Sequence, residues 1–271
     1  MNWLSKLLSK VFKIREHSDG DVIKPFLEHM EDLRWTLLKM GSTLIFAMII
    51  AFLYRNDLMR ILQAPLADVD PDLPRQLVVH DIAGAFMLSI KMSFQAGIVI
   101  AFPFLVFFLA DFVLPALTRQ EKKYLFPGIA AGTLLFCAGV AIAYFYILPQ
   151  TIRFFYDYTK AMGLQQMWTW TSYASMFTWL TIGFGLLCEL PVVVIALALL
   201  RIVNYKLLAA TRSYAITLIF ILAAVIAPTP DPATLLFLAV PIVILYESCI
   251  WIVWLLDRRR KKNEDVADLL N

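Results

Sequence analysis

Long apolar runs divide this sequence more sharply than any motif does. Residues 37–53, 92–114, 125–148, 173–200 and 233–256 are each predominantly apolar. Roughly 20 such residues, within a range of about 17–25, let a helix cross a hydrocarbon core. A sixth run, 214–226, has only 13 residues. At about 1.5 Å per residue it reaches roughly 20 Å, short of a core of about 30 Å. Pro228, Pro230 and Pro232 follow at once with Thr229 and Asp231, and no helix runs through such a segment. The sequence therefore predicts an all-α polytopic membrane protein with six transmembrane helices, spans five and six forming a short, tight hairpin around which the bilayer thins.

Composition agrees. Hydrophobic residues make up 61% of the 271 and charged residues 17%, against roughly 45–50% and 25% in soluble domains. A soluble core could not hide that excess, whereas lipid can. The net charge of +3 is too small to suggest a nucleic-acid partner. Its distribution says more. Of the 24 Lys and Arg, 18 fall in the region up to Lys39, the link 118–123, the link 201–212 and the tail with Arg258, Arg259, Arg260, Lys261 and Lys262. Lys and Arg accumulate on the cytoplasmic side, so both termini are expected there.

Three regions follow: a basic N-terminal extension 1–24, a six-span domain 25–256, and a charged tail 257–271. In the extension Trp3, Leu4, Leu7, Leu8, Val11 and Phe12 form one helical stripe and Lys6, Lys10 and Lys13 another. That is the pattern of a helix lying on an anionic membrane surface; a frayed basic tail fits the same composition. It lacks the continuous apolar stretch of a signal peptide. The outer loops are expected at 56–90, a polar cap with turns at Pro65, Pro71 and Pro74, and at 149–172, where Trp168, Trp170 and Tyr173 are expected at the membrane interface. No repeat suggests the inverted halves of a secondary transporter.

Few polar residues interrupt the spans. Glu189 lies roughly midway along span four, two residues before Pro191. A charge at the centre of a spanning helix costs about 2.5–3.5 kcal/mol on insertion scales, and Pro191 frees a backbone carbonyl one turn back. The acid is either a functional polar site or a structural group bonded to a neighbouring helix. Glu247 in span six has Tyr246 and Ser248 beside it as hydrogen-bonding neighbours, and no basic residue is expected at the depth of either acid. In the leading cytoplasmic segment, Glu28 and Asp32 share a helix face beside His29, Glu31 and Arg34. Two like charges at that spacing repel, so the face is suited to a guanidinium; it also reads as a solvated start to span one. Glu121 sits beside Lys122 and Lys123 and alone is a surface charge. Cys137, Cys188 and Cys249 each lie inside an apolar run and read as small hydrophobes. No catalytic, metal-ligating or phosphate-binding motif occurs, so the chain reads as a non-enzyme without cofactor or metal.

Taken together, these segments resemble the TatC family, the polytopic subunit of the Sec-independent, twin-arginine protein translocase. His29-Met30-Glu31-Asp32-Leu33-Arg34-Trp35-Thr36-Leu37-Leu38 resembles the family's His-Leu-x-Glu-Leu-Arg-x-Arg-Leu-Leu. Ala64-Pro65-Leu66 matches the Pro-Leu after span one. Phe112-Val113-Leu114-Pro115-Ala116-Leu117 with Glu121 resembles Phe-x-x-Pro-x-Leu and its Glu. Phe184 to Pro191 resembles Phe-Gly-x-x-Phe-Glu-x-Pro, and Pro228-Thr229-Pro230-Asp231 resembles the Thr-Pro-Pro-Asp tip. The chain departs from the pattern in having Asp32 for Glu, Thr36 for the second Arg, and Asp81-Ile82-Ala83-Gly84-Ala85-Phe86 for Ser-Pro-x-Glu-Ala-Phe; its N-terminal extension is also additional.

The resemblance implies a curved, glove-like six-helix bundle in the cytoplasmic membrane. It implies a receptor for twin-arginine signal peptides that exports folded proteins with single-span partners of the TatA and TatB type, oligomeric in the complex. Asp32 and Glu121 would bind the arginines, with Phe112, Arg34 and His29 nearby. Glu189 would be a polar group on the concave face, available to a signal or partner helix, and span five with the tip at Asp231 would meet the partner's helix. The rival expectation is a proton-coupled small-solute transporter using Glu189.

Overall fold

The computed structural model describes residues 26–113, 125–199, 203–226 and 232–269. In chain order the helices are α1 (Phe26–Leu53), α2 (Arg55–Ala67), α3 (Leu73–Gln76), α4 (Gly84–Val113), α5 (Leu125–Ile142), a π segment (Ala143–Ile147), α6 (Leu148–Ala161), α7 (Trp170–Leu187), α8 (Leu190–Leu199), α9 (Tyr205–Ala210), α10 (Arg212–Ile226) and α11 (Pro232–Leu269). Five stretches are long and apolar enough to cross a membrane, and α10, with 15 residues, is the short sixth. The all-α, six-span expectation stands.

Several boundaries move, always by helices running further than their apolar runs. Span one begins at Phe26 because the leading segment joins it as one helix. Span two starts at Gly84 rather than 92. Span three does not end at 148. Pro149 has no N–H to give, and the ladder passes through the π turn Ala143–Ile147 into α6 instead of stopping. Gly163, at φ +68°, lies just past the α6 end, the left-handed conformation that closes many helices. Most of the expected loop 149–172 is therefore helix. The expected loop 56–90 likewise holds α2 and α3. Pro65 within α2 leaves the Ile61 carbonyl without its intrahelical donor, and the Tyr144 hydroxyl donates to that carbonyl at 2.9 Å.

α2, α3 and α6 form a cap on the N-terminal ends of α4 and α7. Leu62, Leu66, Leu73, Leu148 and Ile152 are fully buried there. The aromatic residues expected at the membrane interface go elsewhere: Trp170 and Tyr173 are buried in this core. The Tyr173 hydroxyl donates to the Leu62 carbonyl at 2.8 Å, which allows the ring to be buried with its polar end satisfied. A two-bond bridge ties the cap together: Val78 N–H donates to Trp168 O and Trp170 N–H to Val78 O, both at 3.1 Å. The same core continues between the spans through Leu180, Phe184, Leu238 and Ile242.

α1 packs along α4. Ala47 and Ala51 are buried on that side, and a Cβ on Gly97 would meet the Met48 backbone N at 3.0 Å. Much of the rest of α1, including Ile45, Phe46 and Ile49, is exposed, as suits a helix facing lipid.

Candidate functional site

The antiparallel packing of α1 on α4 sets what lies near the start of α1 and the end of α4. Continuing the Met48–Gly97 register along both helices places Phe112 at the level of Leu33, next to Asp32. Asp32 and Phe112 are both half-buried, and Arg34 is exposed. The Thr36 hydroxyl donates to the Asp32 carbonyl at 2.8 Å, so the residue that replaces the expected arginine folds back on its own helix. Met30, Leu33, Arg34, Leu37 and Leu38 line a shallow apolar depression on the same stretch. The sequence-predicted partner Glu121 lies outside the described residues, as do Asp231 and the side chain of His29.

Glu189 sits at a break in span four. α7 ends at Leu187, Cys188 and Glu189 form a turn, and α8 starts at Leu190. Glu189 N–H donates to Leu186 O at 3.1 Å, a tighter three-residue step, while Glu189 O accepts from Val193 N–H. Pro191 occupies the first turn of α8, where its missing N–H costs nothing. The break is ten residues from Leu199, so Glu189 lies about 15 Å from the α8 end.

Its carboxylate lies over Gly132 of α5. A Cβ on Gly132 would lie 3.0 Å from Glu189 Oε2 and 3.6 Å from Oε1. Oε1 is buried and accepts no hydrogen bond among the described residues. Beside it, α5 and α7 approach closely. Phe136 packs over Gly185 and stacks on Phe102 of α4 with ring centroids 3.5 Å apart. Leaving a buried acceptor unpaired costs about 1–3 kcal/mol.

Sequence reasoning missed a polar seam between α4 and the N-terminal part of α7. Lys91 Nζ donates to Ser175 Oγ at 2.5 Å, Gln95 Nε2 to Thr181 Oγ1 at 2.7 Å, and Thr178 Oγ1 to Gln95 Oε1 at 2.8 Å. α4 and α7 run parallel, so polar residues spaced four apart on one meet hydroxyls spaced three apart on the other. That spacing was the available signal. The seam leaves its own groups satisfied, which separates it from Glu189.

Glu247 is not as expected. The Tyr246 hydroxyl donates to Leu208 O and the Ser248 hydroxyl to Ile244 O, so neither neighbour serves it. Instead Glu247 Oε2 pairs with Arg212 Nη2 at 3.0 Å. The expectation that no cation reaches its depth is corrected: the hairpin folds the first residue of α10 against the middle of α11. Of the cysteines, Cys188 and Cys249 are buried and Cys137 is exposed.

Residues 28–241 match the family described as Sec-independent protein translocase protein (TatC). The chain belongs to the TatC family. A relative from Deinococcus radiodurans, a Sec-independent protein translocase protein TatC, is 35% identical over 82% of this chain and 83% of its own length. One from Akkermansia muciniphila with the same description is 44% identical over 68% of this chain. The match spans about half of that relative's length, 53%. A solved structure described as the twin arginine translocase receptor TatC is 29% identical and superposes with a TM-score of 0.74, covering 84% of this chain and 98% of that one. A second, described as determined in DDM, gives 0.75 at 28% identity, over 83% of this chain and 99% of that one. TatC membership makes the chain a multi-pass membrane protein of a protein translocase family and not an enzyme. Nothing in it supports the small-solute transporter.

Proposed function

We propose that this chain is the receptor subunit of a twin-arginine translocase in the cytoplasmic membrane, with both termini cytoplasmic. The observation that carries the reading is the packing of α1 on α4, whose Met48–Gly97 register puts Asp32 and Phe112 at a similar level at one end of the pair, with Glu121 following in the sequence. Asp32 and Glu121 bind the two guanidiniums of a signal peptide, and Phe112, Arg34 and His29 complete the surface around them. Hydrogen bonds to charged groups contribute roughly 1.5–3 kcal/mol each, less where water reaches them.

Glu189 receives a hydrogen-bond donor from the helix of a single-span partner of the TatA or TatB type. Its buried, unpaired Oε1 and its seat against Gly132 support that role. The partner's helix runs along span five toward the tip at Asp231. Residues 25–256 form the six-span membrane domain, 1–24 an amphipathic, basic cytoplasmic extension and 257–271 a charged cytoplasmic tail.

Photo-crosslinking of a twin-arginine precursor to the full chain in membranes tests the receptor reading. Crosslinks are expected to be lost in the double variant Asp32→Ala with Glu121→Ala. Undiminished crosslinking there overturns the assignment.

A further inference from the structure

The Arg212–Glu247 pair sits where neither charge belongs on its own. α11 carries an aromatic marker of the inner interface: Trp254 stacks edge-on against Trp251, and the Arg258 guanidinium lies 5.4 Å over the Trp254 ring. Tryptophan and arginine concentrate at that boundary. Glu247 lies seven residues before Trp254, about 10 Å further into the membrane. The short α9 lies between. Its Leu208 is buried with Ala198, Ile250 and Val253, and its carbonyl accepts from the Tyr246 hydroxyl at 3.2 Å. The chain therefore dips inward before span five begins, and Arg212 opens α10 well below the surface.

We infer that the Arg212–Glu247 ion pair is the inner anchor of the span-five/span-six hairpin, a positioning device that sets how far the hairpin tip reaches outward. α10 has 15 residues, about 22 Å at the helical rise. In a bilayer of full thickness, a helix that short presents its far end at the outer surface only if its near end starts inside the inner leaflet. Arg212, half-exposed at 49%, can take that depth because Glu247, at 31%, faces it at 3.0 Å. Without the acid, the guanidinium seeks the inner headgroups, as long basic side chains near helix ends do. α10 then slides inward and the tip withdraws from the outer face. This rests on the ion pair, the helix lengths and the proposed orientation with both termini cytoplasmic, not on Glu189 or on signal binding.

The test places a reporter cysteine at Val225, exposed near the outer end of α10, in the full chain with Cys137, Cys188 and Cys249 replaced by Ala. Labelling from the outer side with a membrane-impermeant maleimide reads tip height. Glu247→Arg and Arg212→Glu, each alone, are expected to reduce labelling severalfold. The double exchange, Arg212→Glu with Glu247→Arg, is expected to restore it, and Arg212→Lys to keep it. If a single exchange prevents accumulation in the membrane, recovery of accumulation in the double exchange is the readout. Parental labelling in both single exchanges overturns the inference. So does a double exchange that recovers neither labelling nor accumulation.

Discussion

Two glycines on one face of α5 should respond oppositely to the same substitution. Gly132 and Gly139 are seven residues apart and both face span four. Ala in place of Gly in a helix gains up to about 1 kcal/mol of intrinsic propensity. At Gly139 the added Cβ would lie 2.7 Å from Cys188 Sγ, 3.0 Å from Cys188 Cβ and 3.0 Å from Gly185 Cα. A backbone atom and a Cβ cannot step aside, so α5 and α7 must separate. Overpacking of this kind costs about 1–3 kcal/mol, leaving a net loss of up to roughly 2 kcal/mol after the propensity gain. At Gly132 the new Cβ meets only the end of the Glu189 side chain, at 3.0 and 3.6 Å, which rotates away at little cost. Gly132→Ala should therefore unfold no earlier than the parent in detergent, and Gly139→Ala a few degrees earlier. The same pair separates packing from function. Gly132→Ala moves the carboxylate and should weaken crosslinking between Glu189 and a partner helix, while leaving the melting temperature intact. Equal melting temperatures for the two variants would refute the close-approach reasoning. A melting loss confined to Gly132→Ala would refute it more strongly.

Other consequences follow from the same contacts. Gln95→Leu removes two interhelical bonds, but Thr178 and Thr181 retain bonds to the Ala174 and Phe177 carbonyls. Such bonds average about 0.6 kcal/mol in membranes, so a loss of roughly 1 kcal/mol is expected in a reversible unfolding assay. In the cap, the Tyr156 hydroxyl donates to Asp70 Oδ2 at 2.6 Å and the Asp72 N–H to Oδ1 at 2.9 Å. These bonds, the Tyr156 one first, hold the Asp70 carboxyl below its ordinary value. A depressed carboxylate contributes stability that is present above its ordinary titration range and is lost as pH falls through its lowered folded value. Tyr156→Phe should therefore be less stable than the parent near neutral pH, with the two melting curves converging in acid. Gly185→Ala, whose Cβ would meet Val140 Cγ2 at 2.8 Å and the Phe136 ring at 2.9 Å, should broaden or lower the melting transition.

What could be read from the chain alone followed the physics of lipid. Every residue of a span facing hydrocarbon must be apolar, so the runs announced themselves, and a carboxylate among them stood out as Glu189. The outer halves of α4 and α6 face water or the cap, carry ordinary polar residues, and gave no such signal. Their length came from packing onto Leu62, Leu66 and Tyr173. The π turn before Pro149 was illegible because a proline usually signals an end, and only tertiary contacts let the helix continue. The Arg212–Glu247 pair was hidden by the rule that found the topology. Counting Lys and Arg assigned Arg212 to the cytoplasmic surface, and its true depth depends on the hairpin's register. Gln95 carries no charge and so no warning. Gly132 is one of several glycines on α5, and its value lies in the acid packed over it. Asp32 was legible from its segment, and the fold supplied the α4 end beside it.

Export of a folded cargo, measured in cells lacking their native TatC subunit and supplied with this chain and its single-span partners, is the most direct measurement. The expected result is export that depends on the arginine pair of the cargo's signal and is abolished when Asp32 and Glu121 are both replaced by Ala. Export indifferent to the arginine pair, or retained in that double variant, would contradict signal recognition at the α1–α4 end.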